Sequence, residues 1–190
     1  GWFLSLARQA GWTVQGIDFD QGAVQAARSR GLDVSHGGID SFDGMEQAFD
    51  VITLSHVIEH VHAPLDMLAR LYRLLRPGGV IWLETPNLDS AGSRRFGKAW
   101  RGLETPRHLV LFSRLSLVKA LQQAGFHSIA QHWHGMTTFD VYASSEAIAA
   151  GRLATEASYG GRPPWRAVLA ELKAMLSPAS REFLTLTARR

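Results

Sequence analysis

Residues 49–87, FDVITLSHVIEHVHAPLDMLARLYRLLRPGGVIWLETPN, spell a strand, a helix and a second strand in one uninterrupted run, and that order leaves few folds open. It is the building unit of a parallel sheet. Residues 49–54 are apolar and rich in β-branched side chains, as suits a strand buried on both faces. Ser55 and His56 stand at its carboxyl end. Pro64 is a favoured first-turn residue, and Leu65, Leu68, Leu71, Tyr72 and Leu75 follow at helical spacing, which predicts a helix with one apolar stripe. In Arg76-Pro77-Gly78-Gly79 proline cannot continue a helix and glycine accepts positive φ, so a turn into a second buried strand over 80–84 is expected. Thr85-Pro86-Asn87 then opens a loop on the same edge as Ser55 and His56, the edge where an open α/β sheet gathers ligands.

The flanking segments extend the alternation. Residues 2–10 read as a helix stopped by Gly11, and 13–18 as a buried strand ending in Asp18. Asp20 suits the N-cap of a helix over 23–30, and a third strand is expected at 32–35. A carboxylate such as Asp18 at a strand end can accept two hydrogen bonds from a ribose diol. Phe19 offers an adjacent ring, and Asp40 lies in the polar loop after the third strand. Residues 88–112 lose regular periodicity, and a loop of that length in a compact domain usually has a function. Ser113 is a suitable N-cap for a helix over 115–124 ended by Gly125, with a strand at 126–131. Helices are expected at 144–150 and 165–175, and the alternation in 182–188 predicts a last strand.

Composition narrows the function classes. The chain has 190 residues, 46% of them hydrophobic, enough for one domain with a real core. It contains no cysteine, which removes disulfides, thiolate metal sites and cysteine nucleophiles and agrees with a cytoplasmic protein. No apolar run approaches the roughly 20 residues needed to span a bilayer, so no membrane partner is expected. The net charge of +3 comes mainly from arginines, several of them between 94 and 114, where they could attract an anionic small molecule. No aromatic platform or nucleic-acid module accompanies them, and a nucleic-acid partner is not expected.

The acidic-Val-Ile strand at 50–52, the Glu59-His60-Val61 helix entry, the Leu75-Arg76-Pro77-Gly78-Gly79 turn and the Thr85-Pro86-Asn87 strand end resemble, together and in order, class I S-adenosylmethionine-dependent methyltransferases. The resemblance covers essentially the whole chain and is firmest over 1–131. It implies a doubly wound, Rossmann-like α/β sheet, mostly parallel with an antiparallel last strand, as one domain over 1–190. Gly1 resembles the last glycine of that family's Gly-x-Gly-x-Gly turn, so a preceding segment carrying the first strand is expected outside this chain. S-adenosylmethionine is the implied cofactor, with Gly1, Asp18, Phe19, Asp40, Leu54, Ser55 and His56 in contact with it. Asp18 would hold the ribose, Asp40 the adenine amino group, and the backbone at Leu54 and Ser55 the methionine end. Residues 104–113 resemble the Pro-x-His-Leu-x-x-Phe-Ser stretch of small-molecule methyltransferases, including those of sugars and secondary metabolites. That implies His108 as the proton acceptor, since imidazole takes protons near neutral pH. Asn87, Trp100 and Arg107 are the expected contacts to a small-molecule acceptor, anionic or sugar-linked, with the 88–112 loop and a 133–180 helical insertion as its cover.

Three other readings compete. His56-Val57-Ile58-Glu59-His60 has the His-x-x-Glu-His order of inverted zinc metallopeptidases. It sits at a strand-to-helix junction, and no third ligand stands out on a downstream helix, so no metal ligand is assigned. A nicotinamide-dependent oxidoreductase would also place an acid after its second strand, but not the Glu-His-Val and Thr-Pro-Asn signatures. A non-catalytic or cofactor-deficient methyltransferase-like domain is the third.

Overall fold

The protein is described by a computed structural model that covers every residue except 134–136 and 158–162. It resolves into two compact units, residues 1–46 and 47–190.

The first unit holds α1 (Trp2–Gln9), β1 (Gln15–Asp18), α2 (Gln21–Arg28), β2 (Asp33–His36) and a 3-10 turn at Ile39–Phe42. β1 and β2 pair in parallel, with Asp18 opposite His36 at the carboxyl ends. Asp20 caps α2, its Oδ1 accepting from the backbone N–H groups of Gly22 and Ala23. That satisfies two of the donors a helix start leaves open. Val24, Ala27, Leu32 and Val34 form a small core on which Leu4 and Val14 pack. Gly16 lets that packing close: a Cβ there would lie 2.7 Å from Leu4 Cδ1.

The second unit contains β3 (Phe49–Ser55), α3 (Pro64–Leu74), β4 (Leu75–Pro86), α4 (Ala91–Phe96), α5 (Arg114–Gln123), β5 (His127–His132), α6 (Thr138–Ala149), α7 (Trp165–Leu176) and β6 (Phe183–Arg189). Its sheet has the order β3-β4-β6-β5. β3 runs parallel to β4, and β6 is antiparallel to both β4 and β5. The expected α/β class and antiparallel last strand are therefore present, with β6 inserted between its neighbours. Fully buried Leu75, Ile81, Leu83, Leu117, Leu121, Leu184 and Leu186 line the core. Each such side chain stabilises the fold by about 1.5–3 kcal/mol relative to exposure.

Some boundaries differ from the sequence reading. Leu65 is 45% exposed, and Leu75 starts β4 rather than ending the helix, so the strand begins five residues early, through the Arg76–Gly79 stretch. β3 is an edge strand of its four-stranded sheet, and only Leu54 is buried along it. α6 starts at Thr138, six residues before the expected helix. The 88–112 segment is not structureless. Ser90 caps α4 by accepting from Ser93 N–H, Gly97 ends it at φ 52°, and two 3-10 turns follow before a parallel bridge joins Asn87 to Phe112. The expected 133–180 insertion includes 134–136 and 158–162, which lie outside the described residues.

α5 carries the clearest local signal. Ser113 and Ser116 form a reciprocal capping box, each side chain serving the other's backbone N–H. Ser113→Ala is expected to lower stability by about 1 kcal/mol, read as a lower urea midpoint at unchanged slope.

Candidate functional site

In the first unit the expected cofactor residues gather at the carboxyl ends of β1 and β2. Asp18 is exposed, and its Oδ1 accepts from Asp20 N–H at 2.9 Å. A carboxylate has about four acceptor positions, so capacity remains for a diol. Phe19 is 78% exposed, and its carbonyl accepts from His36 Nε2 at 3.0 Å. Gly38 lies under this ring, where a Cβ would stand 3.0 Å from Phe19 Cζ. Asp40 is exposed in the 3-10 turn, and Gly1 is the N-cap residue of α1.

In the second unit the carboxyl ends of β3 and β4 bring together groups the sequence reading kept apart. Leu54 is buried opposite Leu83, and Ser55 pairs with Glu84. His56 follows at φ 52°, an uncommon conformation for a residue with a side chain, and not part of a helix. Its N–H donates to the Glu84 carbonyl at 2.9 Å. Its ring lies between two buried carboxylates, Nδ1 at 3.2 Å from Glu59 Oε1 and Nε2 at 3.6 Å from Glu84 Oε1, with Phe183 edge-on at 4.8 Å. The Glu59 hydrogen bond, backed by the charges of Glu59, Glu84 and Glu104, raises the His56 pKa against the opposing effect of burial. Burial alone would push Glu59 up, but its bonds to His56, its own backbone N–H and Thr85 hold it below the ordinary value. Glu59 thus stays ionised although fully buried, as a buried acid can only do when paired.

The turn at Ile58–His60 anchors the 104–110 segment. The Glu59 carbonyl accepts from Leu109 N–H at 2.8 Å and Val110 N–H at 3.2 Å, and His60 Nδ1 meets the Arg107 carbonyl at 2.9 Å. His108 is held in the same way, Nδ1 at 2.7 Å from the Gly102 carbonyl. A carbonyl only accepts, so Nδ1 carries a proton in both rings, and His108 Nε2 lies 3.6 Å from Glu104 Oε2. The two rings stand edge-to-face at 4.8 Å. Glu104, left-handed at φ 32°, gathers Arg101 and Arg107, the latter at 2.6 Å. Burial would raise its pKa, but Arg101, Arg107 and His108 bring it below the usual carboxylate value.

Three expected acceptor contacts have other surroundings. Asn87 is fully buried, its amide donating to the Arg181 carbonyl at 2.8 Å and its Oδ1 accepting from Asp89 N–H. Trp100 is 2% exposed and donates Nε1–H to Glu182 Oε2 at 3.1 Å. Both therefore hold the 88–103 segment from behind. Arg107 is exposed but paired with Glu104. The sequence reading missed Glu84, Glu104 and Glu182, because none carries a local pattern that distinguishes it from a surface acid. His62 is exposed.

The profile of the methyltransferase domain family matches residues 1–131. The chain belongs to this family. Among its relatives are the malonyl-[acyl-carrier protein] O-methyltransferase of Serratia marcescens, 28% identical over 145 residues covering 74% of this chain and 55% of the relative, and the ubiquinone biosynthesis O-methyltransferase of Pseudomonas entomophila, 34% identical over 95 residues covering 46% and 41%. The chain thus spans about half the length of the curated relatives it matches. A crystal structure of a SAM-dependent methyltransferase from Archaeoglobus fulgidus superposes with a TM-score of 0.67 at 17% identity, covering 99% of this chain and 80% of that one, and so shares the fold. Among the described residues no helix is long and apolar enough to cross a membrane.

Proposed function

We propose that this chain transfers a methyl group from S-adenosylmethionine to a small-molecule acceptor. The observation that carries the reading is the family match over 1–131, which spans both strand ends at which the expected cofactor residues lie. S-adenosylmethionine supplies a methyl group on a positively charged sulfur, open to displacement by a nucleophile. What remains for the protein is to hold, orient and exclude water. Asp18 takes the ribose hydroxyls with its remaining acceptor positions, Phe19 covers the adenine, and Asp40 accepts from the adenine amino group. Gly1 adds backbone without side-chain bulk, and the backbone at Leu54 and Ser55 takes the methionine end. His56, clamped between Glu59 and Glu84, borders that end and keeps both acids in place.

On the acceptor side, His108 takes the proton that leaves the nucleophile, because its Gly102 bond leaves Nε2 as an acceptor. Asn87 and Trp100 position the covering segment, and Arg107 draws an anionic or sugar-linked acceptor. The two O-methyltransferase relatives favour oxygen as the nucleophile. The 88–112 segment and the helices within 133–180 form the cover of a single domain over 1–190, and nucleic acid is not an acceptor. A cytoplasmic location belongs to the same reading: a chain without cysteine has no disulfide to lose there.

Calorimetry of the full-length protein with S-adenosylhomocysteine is the direct test. One site per chain is expected, with Asp18→Ala and Asp18→Asn each weakening it by about tenfold or more, as for a lost charge-assisted hydrogen bond of at least about 1.4 kcal/mol. Absence of binding in the wild type would overturn the enzyme reading in favour of a non-catalytic domain. Unchanged binding in both variants would overturn only the role of Asp18.

A further inference from the structure

We propose that Glu59, His60 and His108 form a binding site for a divalent transition-metal ion. One ligand atom from each of the three lies within 4.8 Å of the other two, although His108 is 48 residues from His60 in the chain. The His-x-x-Glu-His string raised a metal site on the sequence alone, but with the wrong members. His56 turns away to bridge Glu59 and Glu84. The missing third ligand arrives instead on the 104–110 segment, which is not a helix and is tied to the Glu59 carbonyl through Leu109 and Val110.

Three features distinguish this cluster from an accidental meeting of polar groups. Both imidazoles have Nδ1 fixed on a backbone carbonyl, Arg107 for His60 and Gly102 for His108, which leaves Nε2 of each as the ligating atom, that of His108 standing 3.6 Å from Glu104 Oε2. Ligating histidines are habitually held by such an outer bond, which sets tautomer and ring orientation. Glu59 is fully buried, and its carboxylate is oriented by Thr85 Oγ1 on Oε2 at 3.0 Å, by His56 Nδ1 on Oε1 at 3.2 Å and by its own backbone N–H, three donors against about four acceptor positions. The side chain of His108 is 5% exposed, so a cation here would meet little competition from water on that side.

The ligand chemistry selects the ion. Two imidazoles and one carboxylate suit zinc, cobalt, iron or manganese, whereas magnesium and calcium favour all-oxygen shells. Metal–ligand bonds of about 2.1 Å in a tetrahedral arrangement place ligand atoms about 3.4 Å apart, so ligand atoms now up to 4.8 Å apart need to close by up to about 1.4 Å. Three protein ligands leave at least one position open for water or for an acceptor oxygen. A bound cation would take the lone pair that His108 otherwise offers to a proton, and would itself make an attached hydroxyl more acidic.

The site is read without methyl transfer, so its test stands apart from the enzyme reading. Full-length, tag-free protein stripped with chelator is titrated with Co²⁺, followed by calorimetry and by visible absorption, then challenged with Zn²⁺. One Co²⁺ per chain is expected, with ligand-field bands of a low-coordinate nitrogen and oxygen site that Zn²⁺ abolishes. His60→Ala and His108→Ala should each weaken binding by at least about 100-fold, the upper end of what loss of a merely orienting partner costs. His127→Ala, on the exposed end of β5, should leave it unchanged. Should His108→Ala fail to fold by circular dichroism, His60→Ala decides, since that ring is partly exposed. No saturable Co²⁺ binding, or wild-type affinity in a folded His60→Ala or His108→Ala protein, overturns the proposal.

Discussion

Replacing His108 by alanine is expected to slow methyl transfer by about 10²- to 10⁴-fold, the usual contribution of a positioned proton acceptor. The expectation rests on the ring's fixed tautomer: Gly102 engages Nδ1, and Nε2 is left to receive a proton. Since no cofactor contact is assigned to His108, affinity for S-adenosylhomocysteine should change by no more than about twofold, well under the 1.4 kcal/mol that a tenfold change represents. The effect should fall on kcat rather than on cofactor binding, read by single-turnover kinetics beside calorimetry. A second variant, His60→Ala, separates chemistry from support. His60 holds the Arg107 carbonyl next to His108, so its loss should cost less than loss of His108 itself. Equal rates for wild type and a folded His108→Ala protein would remove His108 from the reaction.

Glu182→Ala should destabilise the fold by roughly 2–4 kcal/mol in urea denaturation. The carboxylate is 1% exposed and accepts from Gly92 N–H at 2.7 Å and Trp100 Nε1–H at 3.1 Å. Removing it leaves the donors of Gly92, Ser90 and Trp100 without their partner, each buried one costing about 1–3 kcal/mol, offset in part because a buried acid is no longer desolvated. Glycine at 92 belongs to the same arrangement: a Cβ there would lie 2.5 Å from Glu182 Oε2.

The pH dependence has a definite sign. Burial raises the Glu182 pKa above its ordinary value of 4.5, against the bonds from Gly92, Ser90 and Trp100 and the charge of Arg94. A raised folded-state pKa means that the fold binds the proton more tightly than the unfolded chain does. The associated stability is complete below the unfolded value and is lost as pH rises through the folded one. The advantage of wild type over Glu182→Gln should therefore narrow as pH is raised from about 4 toward neutrality. A difference independent of pH would show that Glu182 titrates alike in folded and unfolded protein.

Much of the architecture was legible because its signals are local. The Asp20 and Ser113 caps, the start at Pro64 and the alternation leading to β6 depend on neighbours within a few residues, and the structure has each of them. The misreadings have local causes too. Leu65 fits the helical stripe by spacing but falls on its exposed border, and Ser90 was overlooked as a cap because no long apolar run follows it.

The sequence by itself determined the α/β class, the family, and which residues end β1 and β3, since period, turn chemistry and motif order act over short spans of chain. Tertiary structure alone decided what those ends face. His60 meets the Arg107 carbonyl, His56 meets Glu84, and Trp100 meets Glu182 across 82 residues of sequence. Each pairing exists because a buried polar group must find its partner wherever the fold brings one, and no periodicity records that requirement.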